Sequence, residues 1–383
     1  MLECSIMKHV KYLFVFLLPV FLAGCILKKS QSRPAPSTAL IKVGKPEFVR
    51  GIHLTPWIAG EQKYIDRFDN LFGRDKLNTV VIAVKECAGD VYIPGVGVAH
   101  NYGINAIHIK QLGKNIRYFK SKGVYTIARV VVFKDKALAV KMPGLAVKTP
   151  SGATWHDRRG NCWTDPYNRE VWKYNVEIAK KAVDLGFEEI QFDYVRFPSD
   201  GDIRTCRYSQ NHSTSSSAAA LADFLLYAKR EIPAPISVDV FGLTPSVETG
   251  MGIGQRFLQM ADAVDYISPM VYPSHYGKNE YGIKDPNSEP YKIVYKTLSD
   301  ANKLLKNDFR KLRPYLQDFS LGYKYGPEEV KAQIKACYDN GVYEWLLWDP
   351  RCKYTLEAIE AMSGYKPPKR TVESSTTQAK NIN

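Results

Sequence analysis

Residues 171–195 read VWKYNVEIAKKAVDLGFEEIQFDYV and contain one complete helix-to-strand unit. Val171, Tyr174 and Ile178 recur at helical spacing, and Gly186 is a suitable residue for the end of that helix. The residues that follow the glycine are rich in Ile, Phe, Tyr and Val, a composition typical of a short strand. The stretch therefore predicts an amphipathic helix that leads into a buried strand, at Glu189–Val195.

The same alternation of short apolar runs and longer helical stretches continues on both sides. Further helices are predicted at Ser215–Glu231, at Ile253–Asp262 and from Pro327 onward. The eight strand candidates are Val49–Ile58, Thr79–Lys85, Tyr125–Phe133, Glu189–Val195, Ile236–Phe241, Tyr266–Tyr272, Arg313–Phe319 and Tyr343–Trp348. Eight such units favour parallel strands with right-handed crossovers, closed into a (β/α)8 TIM barrel over residues 48–365.

An open, doubly wound sheet is the alternative architecture. It would place a glycine-rich phosphate-binding turn after the first strand, and this chain has HLTPW there, at residues 53–57. The GMGIG sequence at 250–254 precedes a predicted helix, but a single motif of this kind is more often a flexible loop than a phosphate site. The barrel is therefore the favoured fold.

The composition excludes several classes of protein and of site. The 383 residues include 45% hydrophobic and 24% charged residues, 7 cysteines and a formal net charge of +14, which is typical of a globular chain and not of a disordered, collagen-like or polytopic membrane protein. CxxC, HExxH and GxSxG motifs do not occur. The sequence thus predicts no metal site, no cofactor and no serine-hydrolase elbow.

The first residues have the layout of a secretory signal peptide. Residues 7–25 contain two lysines, an apolar run and the ending LAGC, which resembles a bacterial lipobox and implies cleavage before Cys25 and lipidation of that cysteine. A plain N-terminal anchor or a buried helix is the alternative. We expect residues 1–25 to be the signal, 26–47 a flexible stalk and 366–383 a disordered tail. The prediction is a lipid-anchored protein outside the cytoplasm, at the outer membrane or cell surface.

That location would permit disulfides, and five cysteines follow Cys25. Five is an odd number, so at least one of them stays unpaired within the chain. The sequence does not determine the pairing, although Cys162–Cys206 and Cys337–Cys352 are two candidate pairs.

Two aspartates interrupt apolar strands at the predicted mouth of the barrel. Asp193 ends the run EIQFD, and Asp239 lies in the run SVDVF of the next strand. Chemistry in this fold is carried by the carboxyl ends of the strands, and two facing carboxylates are the minimum equipment for cleaving a glycosidic bond. Their separation would decide between retention and inversion, and the residues leave that open. A structural Asp–Arg pair with Arg196 and a loop-bracing role for Asp239 are the alternatives.

Other strand ends offer a surface on which a sugar could bind. Aromatic rings suit stacking on a pyranose, although core packing is the usual role of any one ring. Lys85 is expected to form an ion pair with Glu86. A structural role of that pair is at least as well supported as a catalytic one. The candidate substrate-binding residues are His53, Trp57, Lys85, Glu86, Arg196, Tyr272, Gln317 and Trp348.

Several blocks together resemble a known bacterial family. They include GIHLTPW, ARVVVFKD, WTDPYNREVWKYN, GFEEIQFDYVRFPSDG, ISVDVFG and YISPMVYPSHY. This family of glycoside hydrolase-like proteins was first catalogued as a domain of unknown function. It belongs to the TIM-barrel glycosidase superfamily. The resemblance implies a carbohydrate-active barrel in which Asp193 is the nucleophile or cation stabiliser and Asp239 the general acid. Related barrels carry Glu at the second position, so Asp239 departs from that pattern.

The sequence thus predicts a surface-tethered glycoside hydrolase that acts on a polysaccharide or cell-envelope glycan. A non-catalytic glycan-binding or envelope-scaffolding lipoprotein is the alternative. Nucleic-acid binding is not predicted, because the positive charge is spread along the chain without a basic aromatic stripe. A positive surface is better suited to anionic glycans or lipid headgroups. The oligomeric state is left open.

Overall fold

The protein is described here from a computed structural model. It describes residues 41–73, 76–104, 109, 111–306 and 308–365. The predicted signal with Cys25, most of the predicted stalk and the predicted tail lie outside these residues. Within the described parts of the chain, no helix combines the length and apolar character needed to cross a bilayer.

Eight parallel strands close into one barrel in chain order, so the predicted (β/α)8 fold is confirmed. The strands are β1 Arg50–Leu54, β2 Thr79–Lys85, β3 Tyr125–Val131, β4 Glu189–Asp193, β5 Ile236–Phe241, β6 Tyr266–Val271, β7 Tyr315–Gln317 and β8 Trp345–Trp348. β2 and β5 have the predicted bounds, while the other strands are shorter than predicted. The apolar runs therefore located every strand but overestimated most lengths.

Helices lie between successive strands. The α-helices are α1 Pro56–Gly60, α2 Gln62–Phe68, α3 Gly97–Asn101, α4 Leu112–Ser121, α5 Lys136–Lys141, α6 Arg169–Asp184, α7 Thr214–Glu231, α8 Phe257–Ala263, α9 Pro290–Leu304, α10 Pro327–Asp339 and α11 Leu356–Ser363. Short 3-10 helices occupy Asp69–Leu71, Pro143–Leu145, Ile203–Thr205, Thr244–Ser246, Gly250–Gly252, Pro273–His275, Glu280–Gly282, Pro286–Ser288 and Phe309–Lys311.

The helix before β4 shows why the local sequence folds as predicted. The Asn168 side chain accepts a hydrogen bond from the Glu170 amide at 2.9 Å and caps α6. Val171, Tyr174 and Ile178 are fully buried on the barrel side. Gly186 follows the helix with φ +107°, a conformation that glycine adopts without strain. The chain then turns directly into β4.

The helix expected at Ile253–Asp262 begins later, at Phe257. Gly254 has φ +82°, and a Cβ at that position would lie 2.9 Å from the Leu221 side chain. The backbone there is a tight left-handed turn against α7, which an apolar pattern does not report. This start was therefore predicted four residues too early.

Alternate residues of each strand face the barrel interior or the helices. In β4, Phe192 packs on Phe224 of α7 with ring centroids 5.2 Å apart. Gln191 faces inward, where its amide donates to Ser268 Oγ at 3.2 Å and its oxygen accepts from the Tyr315 hydroxyl at 2.7 Å. The strand period of two therefore directs both Gln191 and Asp193 into the barrel.

A buried ion cluster closes the amino-terminal end of the barrel. Arg313 Nη1 lies 2.6 Å from Glu189 Oε1, and Arg313 Nε lies 2.9 Å from Glu344 Oε2. Tyr125 and Ser237 donate further hydrogen bonds to Glu189. The Arg313 and Glu189 side chains are completely buried. One guanidinium thus compensates two carboxylates in the floor of the barrel.

Replacing Arg313 by Met should lower the free energy of unfolding by about 3–5 kcal/mol, because two carboxylates then lose their buried partner. Chemical denaturation at neutral pH measures this. Arg310→Met is the matched control, since Arg310 pairs with Asp308 on the surface and its loss should change the free energy of unfolding far less. Equal effects of the two substitutions would contradict the prediction.

Part of the predicted stalk contacts this same end of the barrel. The Val43 and Gly44 amides donate to Glu188 Oε1 at 2.6 and 2.9 Å. Lys45 forms an ion pair with Glu344. Contacts with the barrel thus begin before residue 48, the predicted domain start.

The five described cysteines are all free thiols, so neither candidate disulfide is present. Cys162, Cys206, Cys337 and Cys352 are buried, and Cys87 is half-buried. These thiols occupy core positions at which a small apolar side chain packs well.

Candidate functional site

The registers of the strands bring the two aspartates together. Gln191 pairs with Ser237, and Phe192 pairs with Val238, between β4 and β5. Continuing this register places Asp193 beside Asp239 at the carboxyl ends of the two strands. Neighbouring strands are about 4.8 Å apart, so both carboxylates belong to one site.

Both aspartates line one cavity of about 470 Å³ at the carboxyl-terminal mouth of the barrel. Apolar and aromatic side chains form most of its wall. The lining residues are Arg129, Asp193, Tyr194, Arg196, Asp239, Phe241, Gly242, Leu243, Met251, Met270, Tyr272, His275, Tyr276, Tyr315 and Trp348. A concave, largely apolar cavity with a few converging polar groups is the usual form of a small-molecule or sugar site.

Asp193 is held in place by Arg129. Arg129 Nη2 and Nε lie 2.5 and 3.0 Å from Asp193 Oδ2, and the Tyr194 amide donates to Oδ1 at 2.6 Å. Arg129 Nη1 also lies 3.2 Å from Glu86 Oε2. Tyr194, directly after β4, is in the left-handed region with φ +53°. Asp193 is thus a fixed, charge-compensated carboxylate at the edge of the cavity.

Asp239 is in a different environment. It is 1% exposed, and no hydrogen-bond partner of its Oδ1 is found in the described part of the chain. Burial and the neighbouring charge of Asp193 raise the pKa of Asp239 well above its ordinary value, while Arg129 acts in the opposite direction. The two neighbouring aspartates therefore differ, because Asp193 is ion-paired with Arg129, whereas the burial of Asp239 favours its protonated form.

This environment predicts a pH-dependent stability. Because folding raises the pKa of Asp239, its contribution to stability is complete below the unfolded-state pKa of about 3.9 and is lost as the pH rises towards the folded-state value. Asp239→Asn should therefore gain stability over the wild type by about 1.4 kcal/mol per pH unit in that window. Chemical denaturation between pH 4 and pH 8 measures the difference.

The slope with pH is the informative readout, since any other effect of the amide on stability is constant with pH. Asp262→Asn, which removes an exposed carboxylate from α8, is the control and should show no comparable slope. A difference between wild type and Asp239→Asn that is constant with pH would contradict the assignment of a protonated Asp239.

Aromatic rings surround the two carboxylates. Trp348 lies edge-on to Tyr315 with centroids 6.0 Å apart, and its ring lies 5.2 Å from the Arg129 guanidinium carbon. Tyr272 is buried in the wall of the cavity, and burial, followed by the charge of Asp239, raises its pKa. Tyr272 and Trp348 were both predicted here, and both lie in the cavity wall.

His53 lies behind Trp348 and outside the cavity wall. Their ring centroids are 4.1 Å apart, and His53 is completely buried. Neither ring nitrogen has a hydrogen-bond partner in the described part of the chain. Burial, together with the charge of Arg129, lowers the pKa of His53 well below its ordinary value, so the ring is neutral. His53 therefore supports Trp348 by packing.

Three other predicted substrate-binding residues lie elsewhere. Trp57 is 58% exposed on α1, because Thr55 and Pro56 end the strand and start a helix before it. Lys85 points into the layer between strands and helices, with Nζ 2.7 Å from Asp135 Oδ2. Gln317 Oε1 accepts a hydrogen bond from Ser274 Oγ at 2.9 Å. The Gln317 side chain is buried and does not line the cavity.

Two predicted ion pairs are replaced by others. Lys85 does not pair with Glu86, because Lys85 faces Asp135 and Glu86 faces Arg129. Arg196 is not the ion partner of Asp193, although it does line the cavity. Arg129 takes both roles, and the sequence analysis missed it. A cation within the apolar run YTIARVV, two residues after Ile127, was the signal that could have found it.

Groups of three or more His, Cys, Asp or Glu residues arranged to hold a metal ion do not occur among the described residues. The charged groups of the cavity are instead two arginines and two aspartates. Their arrangement suits acid catalysis by Asp239 beside an ionised carboxylate.

Comparison with known proteins places this barrel in a family. The sequence profile of the family described as "Putative glycosyl hydrolase domain" matches residues 51–354. The chain belongs to this family. The match covers all eight strands except the first residue of β1 and includes both cavity aspartates. The family resemblance that the sequence motifs carried is therefore confirmed.

Solved structures similar to this family member include glycoside hydrolases. The glycoside hydrolase domain of PgaB (BpsB) from Bordetella bronchiseptica is 11% identical, with a TM-score of 0.59 and 79% of this chain and 94% of that chain covered. The alpha-galactosidase TtGalA from Thermus thermophilus is 11% identical, with a TM-score of 0.50 and coverage of 83% and 60%. At these sequence identities the similarity shows a shared fold and nothing more.

A hypothetical protein from Ruminiclostridium thermocellum is more similar in sequence. It is 32% identical over 49% of this chain and 97% of that chain, with a TM-score of 0.45. No curated protein shows significant sequence similarity to the chain.

Proposed function

We propose that this member of the glycosyl hydrolase domain family cleaves glycosidic bonds in a polysaccharide or cell-envelope glycan with Asp193 and Asp239. The single observation that carries the proposal is the pair itself. Two aspartates on adjacent strands line one cavity. One is an ion-paired carboxylate, and burial raises the pKa of the other and so favours its protonated form. That division of roles is what glycosidic cleavage requires.

Each aspartate then has a defined role. Asp239 donates its proton to the glycosidic oxygen as the bond from that oxygen to the anomeric carbon breaks, so the leaving sugar departs as a neutral alcohol. Asp193, as a carboxylate, stabilises or attacks the resulting sugar cation. Water then adds to the anomeric carbon, and its proton returns to the Asp239 carboxylate. Both residues end the cycle in the states in which they began.

The remaining groups of the wall bind and orient the sugar. Tyr272 and Trp348 supply ring faces beside the two carboxylates. Arg129 is a positioning residue, because it touches both Glu86 and Asp193 and fixes the direction of the Asp193 carboxylate. A carboxylate held in this way needs no reorientation as positive charge develops on the sugar.

The test is a screen for reducing ends. Purified residues 26–383 are incubated with peptidoglycan and a panel of bacterial exopolysaccharides, alongside the double variant Asp193→Asn/Asp239→Asn. Reducing ends released by the wild type and not by the double variant are the expected result. A glycan that the wild type binds tightly and leaves intact would contradict the proposal and favour a non-catalytic glycan-binding role.

The envelope location is part of the same proposal. It rests on residues 7–25, whose LAGC ending implies a lipid on Cys25. Such an anchor would bring the barrel to glycans outside the cytoplasm. Metabolic labelling with a palmitate analogue should mark the full-length protein and not its Cys25→Ser variant. Equal labelling of the two proteins would contradict lipidation at Cys25.

A further inference from the structure

Arg196 is a cation in the cavity wall that lacks an acidic partner. It is 8% exposed and lines the cavity together with both aspartates. No carboxylate oxygen of the described residues lies within 4.0 Å of its guanidinium, whereas Arg129 contacts two. A buried charge without a counter-ion is costly, so residues of this kind more often serve a ligand than the fold.

The surroundings of Arg196 fix its position without neutralising it. Its guanidinium carbon lies 4.8 Å from the ring centroids of Trp163, Tyr194 and Phe241. Nη1 donates to the Phe197 carbonyl oxygen at 3.2 Å and to Ser199 Oγ at 3.0 Å. Ring contacts and neutral acceptors offset part of the desolvation cost and leave the positive charge in place.

The other charged groups of the cavity wall do not supply the missing negative charge. Asp193 is the carboxylate that acts on the pKa of Arg196, but it is already bound by Arg129. Asp239 forms no ion pair with Arg196, and burial raises its pKa, which favours its neutral form. Glu86, on the far side of Arg129, is the second partner of that same arginine. Arg196 therefore remains a buried cation of the cavity wall without an ion pair among the described residues.

We infer that the glycan bound in this cavity carries an anionic substituent, a carboxylate, sulfate or phosphate, and that Arg196 binds it. This inference rests on the proposed function, since it names the class of glycan taken by the same site. The guanidinium is a rigid fork whose N–H groups match the oxygens of such anions. In the dry wall of the cavity an anion bound there gains more than it would on the surface.

The experiment compares matched oligosaccharides that differ only in charge. Hexasaccharides of galacturonic and glucuronic acid are paired with their carboxyl-reduced forms, and sulfated and phosphorylated hexasaccharides with their desulfated and dephosphorylated forms. Binding is measured by calorimetry in the Asp239→Asn background, which slows turnover and introduces no new charge into the cavity. We expect at least one acidic hexasaccharide to bind at least about tenfold more tightly than its neutral partner. The pair that shows the preference identifies the anionic group.

Variants at residue 196 locate that preference. Arg196→Gln should reduce it to near unity, and Arg196→Lys should restore part of it. Arg204→Gln, which removes an exposed arginine in the same loop after β4, should leave it unchanged. Melting temperatures confirm that each variant is folded. A preference that survives in Arg196→Gln, or a pocket that binds both members of every pair alike or neither, would overturn the inference.

The outcomes separate this inference from the proposed function. If wild-type protein cleaves only neutral glycans, the hydrolase proposal stands and the anionic inference fails. If acidic oligosaccharides bind through Arg196 and the wild type never cleaves them, the inference stands and the hydrolase proposal fails.

Discussion

Replacing Asp193 by Asn should reduce kcat on the cleaved glycan by at least about 10⁴-fold, or about 5 kcal/mol of transition-state stabilisation. The amide has nearly the shape of the carboxylate but carries no charge to stabilise or attack the sugar cation. Arg129 keeps Glu86 as a partner, so the variant should still fold. Initial rates of reducing-end release, with circular dichroism as the check on folding, measure the effect.

Asp200→Asn is the matched control for this substitution. Asp200 lies in the loop after β4 and pairs with Arg158 on the surface, so its amide variant should keep wild-type activity. Asp193→Ala in the presence of azide provides a second readout, because the small anion can occupy the space of the missing carboxylate and attack the sugar. Asp193→Asn with activity close to that of the wild type would refute the assignment.

Replacing Asp239 by Asn should reduce kcat by about 10²–10⁴-fold on natural glycans, because the leaving oxygen then departs without a proton. The same variant should lose much less activity on nitrophenyl glycosides of the same sugar, since nitrophenolate leaves without acid assistance. The wild-type rate should fall as the pH rises through the raised pKa of Asp239, because only the protonated acid is active. The variant should lack this decline.

The dependence on leaving group is what separates an acid from a residue that only supports the fold. A structural role would lower activity on both kinds of substrate alike and would leave the pH profile unchanged in shape. Equal losses on natural glycans and nitrophenyl glycosides would therefore contradict the role of Asp239. Comparison with Asp262→Asn controls for the loss of a carboxylate from the surface.

The strands and most helix positions could be predicted from the sequence, because they depend on the spacing of apolar residues that are close together in the chain. Apolar residues at helical and strand periods follow from which side of each element is buried, and eight repeats of one unit leave few architectures. The period of two in EIQFD indicates that Gln191 and Asp193 lie on the same face of the strand. The two aspartates were found for the same reason, as charges inside apolar runs.

The contacts within the candidate site were harder to predict, because they join residues that are distant in the chain. Arg129 was missed, and Arg196 was given its role, since a sequence does not say which of two arginines reaches Asp193. The first strand was predicted too long, and Trp57 lies on α1 outside the cavity wall. Lys85 was paired with Glu86 by adjacency, although consecutive residues of a strand face opposite sides.

The sequence by itself determined the barrel, the order of its strands and the two strands that carry the aspartates, because hydrophobic period and alternation are properties of neighbouring residues. Only the tertiary structure decided that Asp193 is ion-paired and that the pKa of Asp239 is raised. That difference follows from burial and from the position of one arginine borne by a third strand. Desolvation and Coulomb interactions act through space, so they are set when the barrel closes.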